Sequence, residues 1–231
     1  MTVSIIIPAY NEEKTIRQLI DKVVSLSFDK QIIVVDDGST DATAEILGKI
    51  KNDLLEVVTH GQNIGKGAAI RTGLRFATGE IVVIQDADLE LDPNDIIRLV
   101  APIENGEGQA AFGARIGYRI LEVNHLLVSM LINIALSLLQ IELLLLYGYT
   151  VKDMMVGYKV MPLKLFKDLK LESDGFEVEA EIIAKLLNRK LYPINIPVHY
   201  TPRYYRDGKK IMWFDAFKIA SAIARYRFSA A

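Results

Sequence analysis

Cysteine is absent from this sequence of 231 residues, which excludes a fold held together by disulfide bonds. The absence suits a reducing compartment but does not identify one. Aromatic residues are also sparse at 8%, yet apolar residues reach 51%. That apolar share is enough for a buried core, so the composition excludes disordered and collagen-like chains.

The N-terminal residues lack a basic start followed by an unbroken apolar run. Pro8 and the polar residues 11–13 interrupt the first apolar segment after only a few residues. A secretory signal peptide needs both features. We therefore expect a cytoplasmic protein.

The net charge is only −2 because opposite local excesses cancel. Residues 1–115 contain 18 acidic and 11 basic side chains, whereas residues 203–227 contain seven basic and two acidic ones. An acidic front half argues against nucleic-acid binding, and a basic tail suits phosphate groups or anionic lipid.

Apolar runs alternate with amphipathic segments near the N-terminus. The runs predict strands at residues 3–9, 31–35, 55–59 and 80–85. The segments between them predict helices at residues 12–26, from about residue 42 to residue 50, and at residues 64–77. Asn11 is placed to cap the first helix. This alternation predicts an α/β fold with a mostly parallel sheet flanked by helices.

Polar clusters follow three predicted strands at their carboxyl ends, where open α/β sheets bind ligands. Asp86-Ala87-Asp88 places two carboxylates within reach of Mg²⁺ or Mn²⁺, and Glu90 lies two residues further on. Asp36-Asp37-Gly38 and the segment 8–12 offer acceptors for a nucleobase or ribose. Each turn alone is ordinary turn chemistry, but three at equivalent strand ends predict one binding site.

The glycine-containing segment around Lys66 does not match a P-loop. Only three residues separate Gly61 from Gly65, and no serine or threonine follows Lys66. We instead expect a helix start that brings Lys66 near a diphosphate.

A long apolar segment follows in the second half. Residues 123–141 contain no charged side chain, which is long enough for a membrane span. However, polar residues recur every four positions and form a stripe on one helix face, at His125, Ser129, Asn133 and Ser137. We favour a helix over residues 123–147 that packs on the domain or lies in the plane of a membrane. A spanning helix and a buried core or dimer helix are the alternatives.

Residues 211–231 predict an amphipathic C-terminal helix. Apolar side chains there mix with Lys218, Arg225 and Arg227. A helix at a membrane surface and a helix docked on its own domain share this composition, so both interpretations stay open.

Four segments together resemble family 2 glycosyltransferases of the GT-A fold, at residues 4–13, 34–41, 63–67 and 85–90. Further segments follow in the order expected for the dolichyl- or polyprenyl-phosphate hexose synthases of that family, at residues 112–115, 153–159, 175–181 and 206–210. The resemblance covers about residues 1–215. It implies a GT-A domain over residues 1–210, with a donor-binding half (1–115) and an acceptor half (116–210), followed by the appended helix.

The resemblance also implies ligands and the residues that hold them. The donor is expected to be GDP-mannose or UDP-glucose, and the cofactor Mg²⁺ or Mn²⁺. The implied donor contacts are Pro8, Ala9, Tyr10, Asn11, Glu12, Asp36, Asp37, Gly38, Lys66, Asp86, Ala87 and Asp88. The implied metal ligands are Asp86, Asp88 and Glu90, although a glutamine commonly stands at the Glu90 position in the mannosyl synthases.

The implied acceptor is a polyprenyl or dolichyl monophosphate. Its phosphate would meet Arg115, His125, Ser129, Arg203, Arg206 and Lys209. In the resembled enzymes an arginine precedes the serine by four residues. Here His125 takes that position, and its charge is weaker and pH-dependent.

The implied reaction is inverting transfer of a hexose at the cytoplasmic face of a membrane, with Asp88, Arg115 and Asp153 as catalytic residues. A phosphate acceptor is already largely ionised and needs no base. A saccharide or other hydroxyl acceptor is the alternative, and Asp153 or a glutamate within residues 177–181 would then be the base. A non-catalytic nucleotide-sugar-binding protein is a minor alternative, and a homodimer is possible.

Overall fold

The computed structural model describes residues 1–115, 126–202 and 215–228, with backbone only for residues 126–132. Its strands are β1 (Val3–Ala9), β2 (Lys30–Asp36), β3 (Leu55–Thr59), β4 (Ile81–Ile84), β5 (Ala111–Ala114), β6 (Lys159–Pro162) and β7 (Ile194–Pro197). Its helices are α1 (Ile16–Val24), α2 (Thr43–Lys49), α3 (Lys66–Phe76), α4 (Ile96–Glu104), α5 (Leu126–Tyr147), α6 (Leu163–Asp168), α7 (Val178–Asn188) and α8 (Asp215–Phe228).

The described strands form one sheet in the order β3-β2-β1-β4-β6-β5-β7. β1 pairs in parallel with both β2 and β4, β2 pairs in parallel with β3, and β5 pairs in parallel with β7. Only β6 among these strands runs the other way, between β4 and β5. The predicted mostly parallel α/β fold is confirmed.

Two apolar clusters cover the two faces of the sheet. One packs β-strand side chains against α1, α2 and α4, around Ile5, Ile20 and Leu99. The other packs the opposite face against α3, α6 and α7 and extends to α5 and α8. The sheet is therefore buried on both faces, as continuous apolar strands such as β1 and β4 require.

The predicted boundaries in the first half agree with the structure to within a few residues, except at the start of α1. That helix begins at Ile16 rather than at residue 12, and Thr15 precedes it. Asn11 does not cap it. Asn11 has a φ of 50°, and its side-chain oxygen accepts a hydrogen bond from the Thr40 amide at 2.7 Å. The residue thus joins two turns instead of starting a helix.

Helix α5 docks on the domain through one side. Leu139 and Leu143 are buried there, and the Tyr147 hydroxyl donates to the Ile223 carbonyl of α8 at 2.9 Å. The opposite side exposes Ile134, Leu138, Ile141, Leu144 and Leu145. α5 thus packs against the domain on this side, and α8 is likewise docked through Ile219, Ala222 and Ile223.

None of the described helices is both long enough and apolar enough to cross a membrane. Of the polar stripe predicted on α5, the side chains of two residues are described: Ser137 is exposed and Asn133 is half-buried. His125 lies outside the described residues, and the side chain of Ser129 is not described.

Leu143→Ala should lower the free energy of unfolding by about 2–5 kcal/mol, because it removes apolar contacts and leaves a cavity. Leu143 is fully buried, whereas Leu145 on the same helix is 78% exposed. Leu145→Ala is therefore the matched control, with an expected change below about 0.5 kcal/mol. Urea denaturation followed by circular dichroism measures both, and equal effects would contradict docking through Leu143.

Candidate functional site

The turns after β1, β2 and β4 meet at the carboxyl edge of the sheet. Ala9 lies beside Asp36 in the β1–β2 pairing, and the Gln85 amide donates to the Ile6 carbonyl at 2.9 Å. The three polar clusters predicted from the sequence therefore share one edge. Neighbouring parallel strands end together, which is why their turns converge.

Hydrogen bonds join the turn after β1 to the turn after β2. The Asn11 amide donates to the Ser39 hydroxyl at 2.9 Å, and the Glu12 amide donates to the Thr43 hydroxyl at 2.8 Å. These bonds hold in place the segment that contains the predicted nucleoside contacts Pro8, Ala9, Tyr10, Asn11 and Glu12. The contacts themselves stay predictions.

Asp37 organises the loop that leads into α3. The backbone amides of Ile64 and Gly65 donate to its carboxylate at 3.0 and 2.7 Å. His60 Nδ1 lies 2.7 Å from the same carboxylate, and its Nε2 lies 2.9 Å from the Thr72 hydroxyl. Asp37 thereby determines where α3 begins. A direct contact between Asp37 and a nucleoside is still a prediction.

Asp36 and Gly38 flank Asp37 in tight surroundings. Asp36 is buried and accepts a hydrogen bond from the Ser39 amide at 3.1 Å. Gly38 has a φ of +70°, and a Cβ at this position would overlap the Gln62 backbone. Only glycine fits both requirements, so the turn can approach the loop before α3 closely.

Asp86, Lys66, Glu179 and Lys159 form, in this order, a chain of alternating charges. Lys66 Nζ lies 2.7 Å from Asp86 Oδ1 and 2.7 Å from Glu179 Oε1. The other Glu179 oxygen lies 2.6 Å from Lys159 Nζ. Glu179 and Lys159 are almost fully buried, and Lys66 and Asp86 are partly exposed. The four side chains come from β6, α3, α7 and the turn after β4.

The pKa values in this chain follow from its pairing. Burial lowers the pKa of Lys66, but the charges of Asp86 and Glu179 outweigh it and raise the pKa above its ordinary value. Burial raises the pKa of Asp86, but Lys66 outweighs it and holds the pKa below the usual range. Asp86 is therefore ionised at neutral pH and is paired with the ammonium group of Lys66.

Asp88 and Glu90 follow in the same turn. The Glu90 amide donates to Asp88 Oδ1 at 3.1 Å, and the Tyr200 hydroxyl donates to Glu90 Oε2 at 2.9 Å. Within the described ranges, no three His, Asp or Glu side chains are arranged as a ready-made metal site. The predicted set of Asp86, Asp88 and Glu90 thus stays a prediction.

The carboxylates nevertheless fit a hard divalent cation. Asp86 already holds the positive charge of Lys66, and Mg²⁺ in phosphate-binding sites commonly takes one or two carboxylates plus phosphate oxygens. Gly157 keeps this position open, since a Cβ there would overlap the Asp86 carboxylate. Asp86 and Asp88 with a bound diphosphate would therefore supply a suitable oxygen shell.

Arg115 forms a bidentate ion pair with Asp153. Arg115 Nε lies 2.5 Å from one Asp153 oxygen, and Nη2 lies 2.8 Å from the other. The guanidinium also stacks 4.8 Å from the centre of the Tyr200 ring. Burial raises the pKa of Asp153, but hydrogen bonds and charge from Arg115 outweigh it and hold the pKa below its usual range.

Other predicted acceptor residues cannot be located in the same way. Arg203, Arg206 and Lys209 lie outside the described residues, as does His125. The side chain of Ser129 is likewise not described. Their predicted roles are unchanged.

Four residues of the site received no role from the sequence: Gly157, Lys159, Tyr200 and His60. Lys159 carried a usable signal, because a lysine between Tyr158 and Val160 in an apolar strand must be paired when it is buried. Glu179 was predicted only as one of several alternative bases within residues 177–181, and its ion pairs give it a different role.

The fold and the carboxylate edge define a glycosyltransferase domain of the GT-A fold. The model of glycosyl transferase family 2 matches residues 4–169. The chain belongs to this family, as its motifs indicated.

Relatives match nearly the whole chain. An uncharacterised protein of Methanocaldococcus jannaschii is 32% identical over 93% of this chain and 88% of its own length. A protein of Methanococcus voltae named UDP-N-acetylglucosamine–dolichyl-phosphate N-acetylglucosaminyltransferase is 32% identical over 90% of both chains.

Among solved structures, glucosyl-3-phosphoglycerate synthase of Mycobacterium tuberculosis, in complex with Mn²⁺, UDP-glucose and phosphoglyceric acid, is similar with a TM-score of 0.72. That match has 24% identity and covers 100% of this chain and 81% of the other. It supports the GT-A fold assignment.

Asp153→Asn should lower the free energy of unfolding by about 3 kcal/mol at neutral pH, because it removes one partner of a mostly buried ion pair. The folded-state pKa of Asp153 lies below the unfolded value of about 3.9, so the pair stabilises the fold above about pH 4. This contribution is lost as the pH falls through the folded pKa. The stability difference between wild type and variant should therefore be constant near neutral pH and shrink below about pH 4.

Urea denaturation at several pH values measures this difference. Asp21→Asn is the matched control, because Asp21 forms an exposed ion pair with Arg17 at 3.1 Å. It should change the free energy of unfolding by less than about 1 kcal/mol. A wild-type–Asp153→Asn difference that is independent of pH down to acid unfolding would contradict the pairing.

Gly157→Ala should weaken Mn²⁺ binding roughly 10- to 100-fold, as substitutions that disturb the orientation of a metal ligand commonly do. The new Cβ would push the Asp86 carboxylate away. Gly48→Ala is the control, since a Cβ at that helical position meets open space. Electron paramagnetic resonance of free Mn²⁺ measures binding, and equal affinities in the two variants would contradict the predicted binding of the metal at Asp86.

Proposed function

We propose that this protein transfers a hexose from a nucleotide sugar to a polyprenyl or dolichyl monophosphate at a membrane surface. Family membership supports the transfer chemistry. The name of the Methanococcus voltae relative supports a lipid-phosphate acceptor. The observation that carries the choice of acceptor is the ion pair between Arg115 and Asp153.

This pair disfavours a hydroxyl acceptor, which would need a general base. Asp153 is a weak base because Arg115 lowers its pKa. Two of the three glutamates considered as alternatives are neutralised too, since Glu179 pairs with Lys66 and Glu181 Oε1 lies 2.7 Å from Lys185 Nζ. The third, Glu177, accepts a hydrogen bond from the Gly175 amide at 3.2 Å. A phosphate monoester needs no base, because its second pKa of about 6 leaves it ionised at neutral pH.

The chain between the two members of the pair supports a lipid acceptor. It contains α5, whose outward side carries four exposed apolar residues at helical spacing, Ile134, Leu138, Ile141 and Leu145. On α8, Phe217 is 70% and Phe228 80% exposed, and basic residues lie on the same helix. Exposed apolar faces mark protein or membrane contact sites, and basic residues beside them suit anionic lipid.

In the proposed reaction, an acceptor phosphate oxygen forms a bond to the anomeric carbon while the bond from that carbon to the donor diphosphate breaks. Attack from the opposite side inverts the configuration, and the nucleoside diphosphate leaves. Lys66 and Arg115 would offset negative charge on the two reacting phosphates and hold them in line. When bound, Mg²⁺ or Mn²⁺ supplies further positive charge at the leaving diphosphate, held by Asp86 and Asp88.

The donor is proposed to be UDP-glucose or GDP-mannose, and UDP-N-acetylglucosamine belongs among the donors to be tested because of the Methanococcus voltae relative. The nucleoside would lie on the turns after β1 and β2. Hydrogen bonds between these two turns hold them together, so the proposed nucleoside surface would be preformed. Preformed surfaces reduce the ordering cost of binding.

Incubation of the purified protein with Mn²⁺, these three donors and a short-chain polyprenyl phosphate should yield a glycosyl phosphodiester, detected by mass spectrometry. The corresponding polyprenol, which lacks the phosphate, is the matched control and should stay unmodified. Asp88→Asn should lower the rate at least about 100-fold, because it removes a charge that holds the diphosphate.

Two results would each replace this proposal. Transfer to saccharides or to the polyprenol, with the lipid phosphate inert, would establish a hydroxyl-acceptor enzyme. Nucleotide-sugar binding without transfer to any acceptor, together with full cellular function of Asp88→Asn, would establish a non-catalytic binding protein.

A further inference from the structure

Lys66 lies between two carboxylates that differ in surroundings. Asp86 is at the edge of the site with 23% of its side chain exposed, whereas Glu179 is in the core with 2% exposed. Both lie 2.7 Å from the ammonium group of Lys66. The lysine could therefore release one partner and keep the other.

Glu179 is held in place independently of Lys66. Its second oxygen pairs with Lys159, which also donates to the Val156 carbonyl and lies 5.0 Å from the centre of the Phe112 ring. A buried carboxylate without positive partners would be costly, and Lys159 gives Glu179 a positive partner that does not depend on Lys66. Glu179 is thus a fixed anchor at the inner end of the chain of charges.

Asp86 is at the same time the carboxylate that fits a divalent cation. Lys66 contacts Asp86 Oδ1, and a divalent cation bound to the same carboxylate would repel the ammonium group at close range, so the two positive charges compete for Asp86. We propose that Lys66 holds the place of the metal on Asp86 and that Glu179, as a positioning residue, retains the displaced ammonium group inside the site. This inference rests on the proposed function, in which Asp86 binds the metal.

The ammonium group of Lys66, retained by Glu179, then lies at the position proposed for the donor diphosphate. Lys66 is the first residue of α3, and the amino end of a helix already favours anions. Displacement from Asp86 frees Lys66 to bind a diphosphate oxygen, while Glu179 prevents the side chain from turning out to solvent. Metal loading and donor binding are coupled through one lysine.

Lys66→Met tests the competition, with binding of Mn²⁺ alone measured by electron paramagnetic resonance. The variant should bind Mn²⁺ roughly tenfold more tightly, because a competing positive charge near the metal is gone. It should also bind the nucleoside diphosphate (UDP and GDP tested with Mn²⁺) more weakly, by about tenfold. A loss of structure would weaken both kinds of binding, so opposite changes identify the proposed role. Unchanged or weaker binding of Mn²⁺ alone would overturn it.

Glu179→Gln tests the anchor. Without Glu179, Lys66 has Asp86 as its remaining carboxylate partner in the described chain of charges, so Mn²⁺ should bind several-fold more weakly. In the Lys66→Met background, Glu179→Gln should change the Mn²⁺ affinity little, because Glu179 is proposed to act through Lys66. An equal effect in both backgrounds would mean that Glu179 acts through space alone, and would overturn its positioning role.

Two further variants control for misfolding and for a general change in net charge. Glu179→Gln combined with Lys159→Met removes both buried charges, and it should reproduce the weaker Mn²⁺ binding even if Glu179→Gln alone fails to fold. Lys185→Met removes a positive charge elsewhere on the domain, where Lys185 pairs with Glu181, and should leave Mn²⁺ affinity unchanged. An increase in affinity with Lys185→Met equal to that with Lys66→Met would contradict competition at Asp86.

Asp86→Asn distinguishes failure of this inference from failure of the proposed function. If Mn²⁺ binding to the wild type is insensitive to Asp86→Asn, the metal does not bind at Asp86 and both proposals lose their basis. If Asp86→Asn abolishes binding but Lys66→Met does not strengthen it, the proposed function stands and the competition is refuted.

Discussion

Charge compensation around Asp86 is the constraint on which the rest of the site depends. A carboxylate at the edge of an apolar sheet needs a positive partner, and burying that partner requires another carboxylate. The sequence meets this requirement with side chains from four separate parts of the chain, β6, α3, α7 and the turn after β4. The two halves of the domain are therefore joined by polar pairing at the site as well as by the apolar core.

The loop before α3 connects this chain of charges to the turn after β2. Asp37, at the end of β2, accepts two backbone amides from that loop and so determines where α3 starts. Lys66 is the first residue of α3, and its position follows from Asp37 even though the two side chains are far apart in sequence. A carboxylate that resembles a simple ligand contact can thus position another residue of the site.

The features that could be predicted from the sequence depend mostly on residues close together in the chain. β1 was predicted with the observed boundaries, because a buried parallel strand is a continuous apolar run. β3, a partly exposed edge strand, was also predicted with the observed boundaries. Family motifs identified the fold. The first turn of α1 was wrong because Asn11 bonds to Thr40, a partner that local capping rules do not include.

The remaining features depend on contacts between distant segments. β6 and β7 are four residues long, and the antiparallel position of β6 between β4 and β5 has no local signal. The proximity of Gly157 and Lys159 to Asp86 follows from that pairing, which aligns Lys159 with Ile84. Neither role could be assigned before the strand order was known.

The reversed direction of β6 has a consequence for how this architecture can diversify. β5 ends and β6 begins at the same edge of the sheet, so the whole intervening stretch leaves and returns beside the site. Arg115 and Asp153 join its two ends at the base. A stretch attached in this way can be lengthened, shortened or exchanged in evolution while the parallel strands β1 to β4 stay as they are. If the proposed division of roles holds, new acceptor specificities can then arise while the proposed donor site is unchanged.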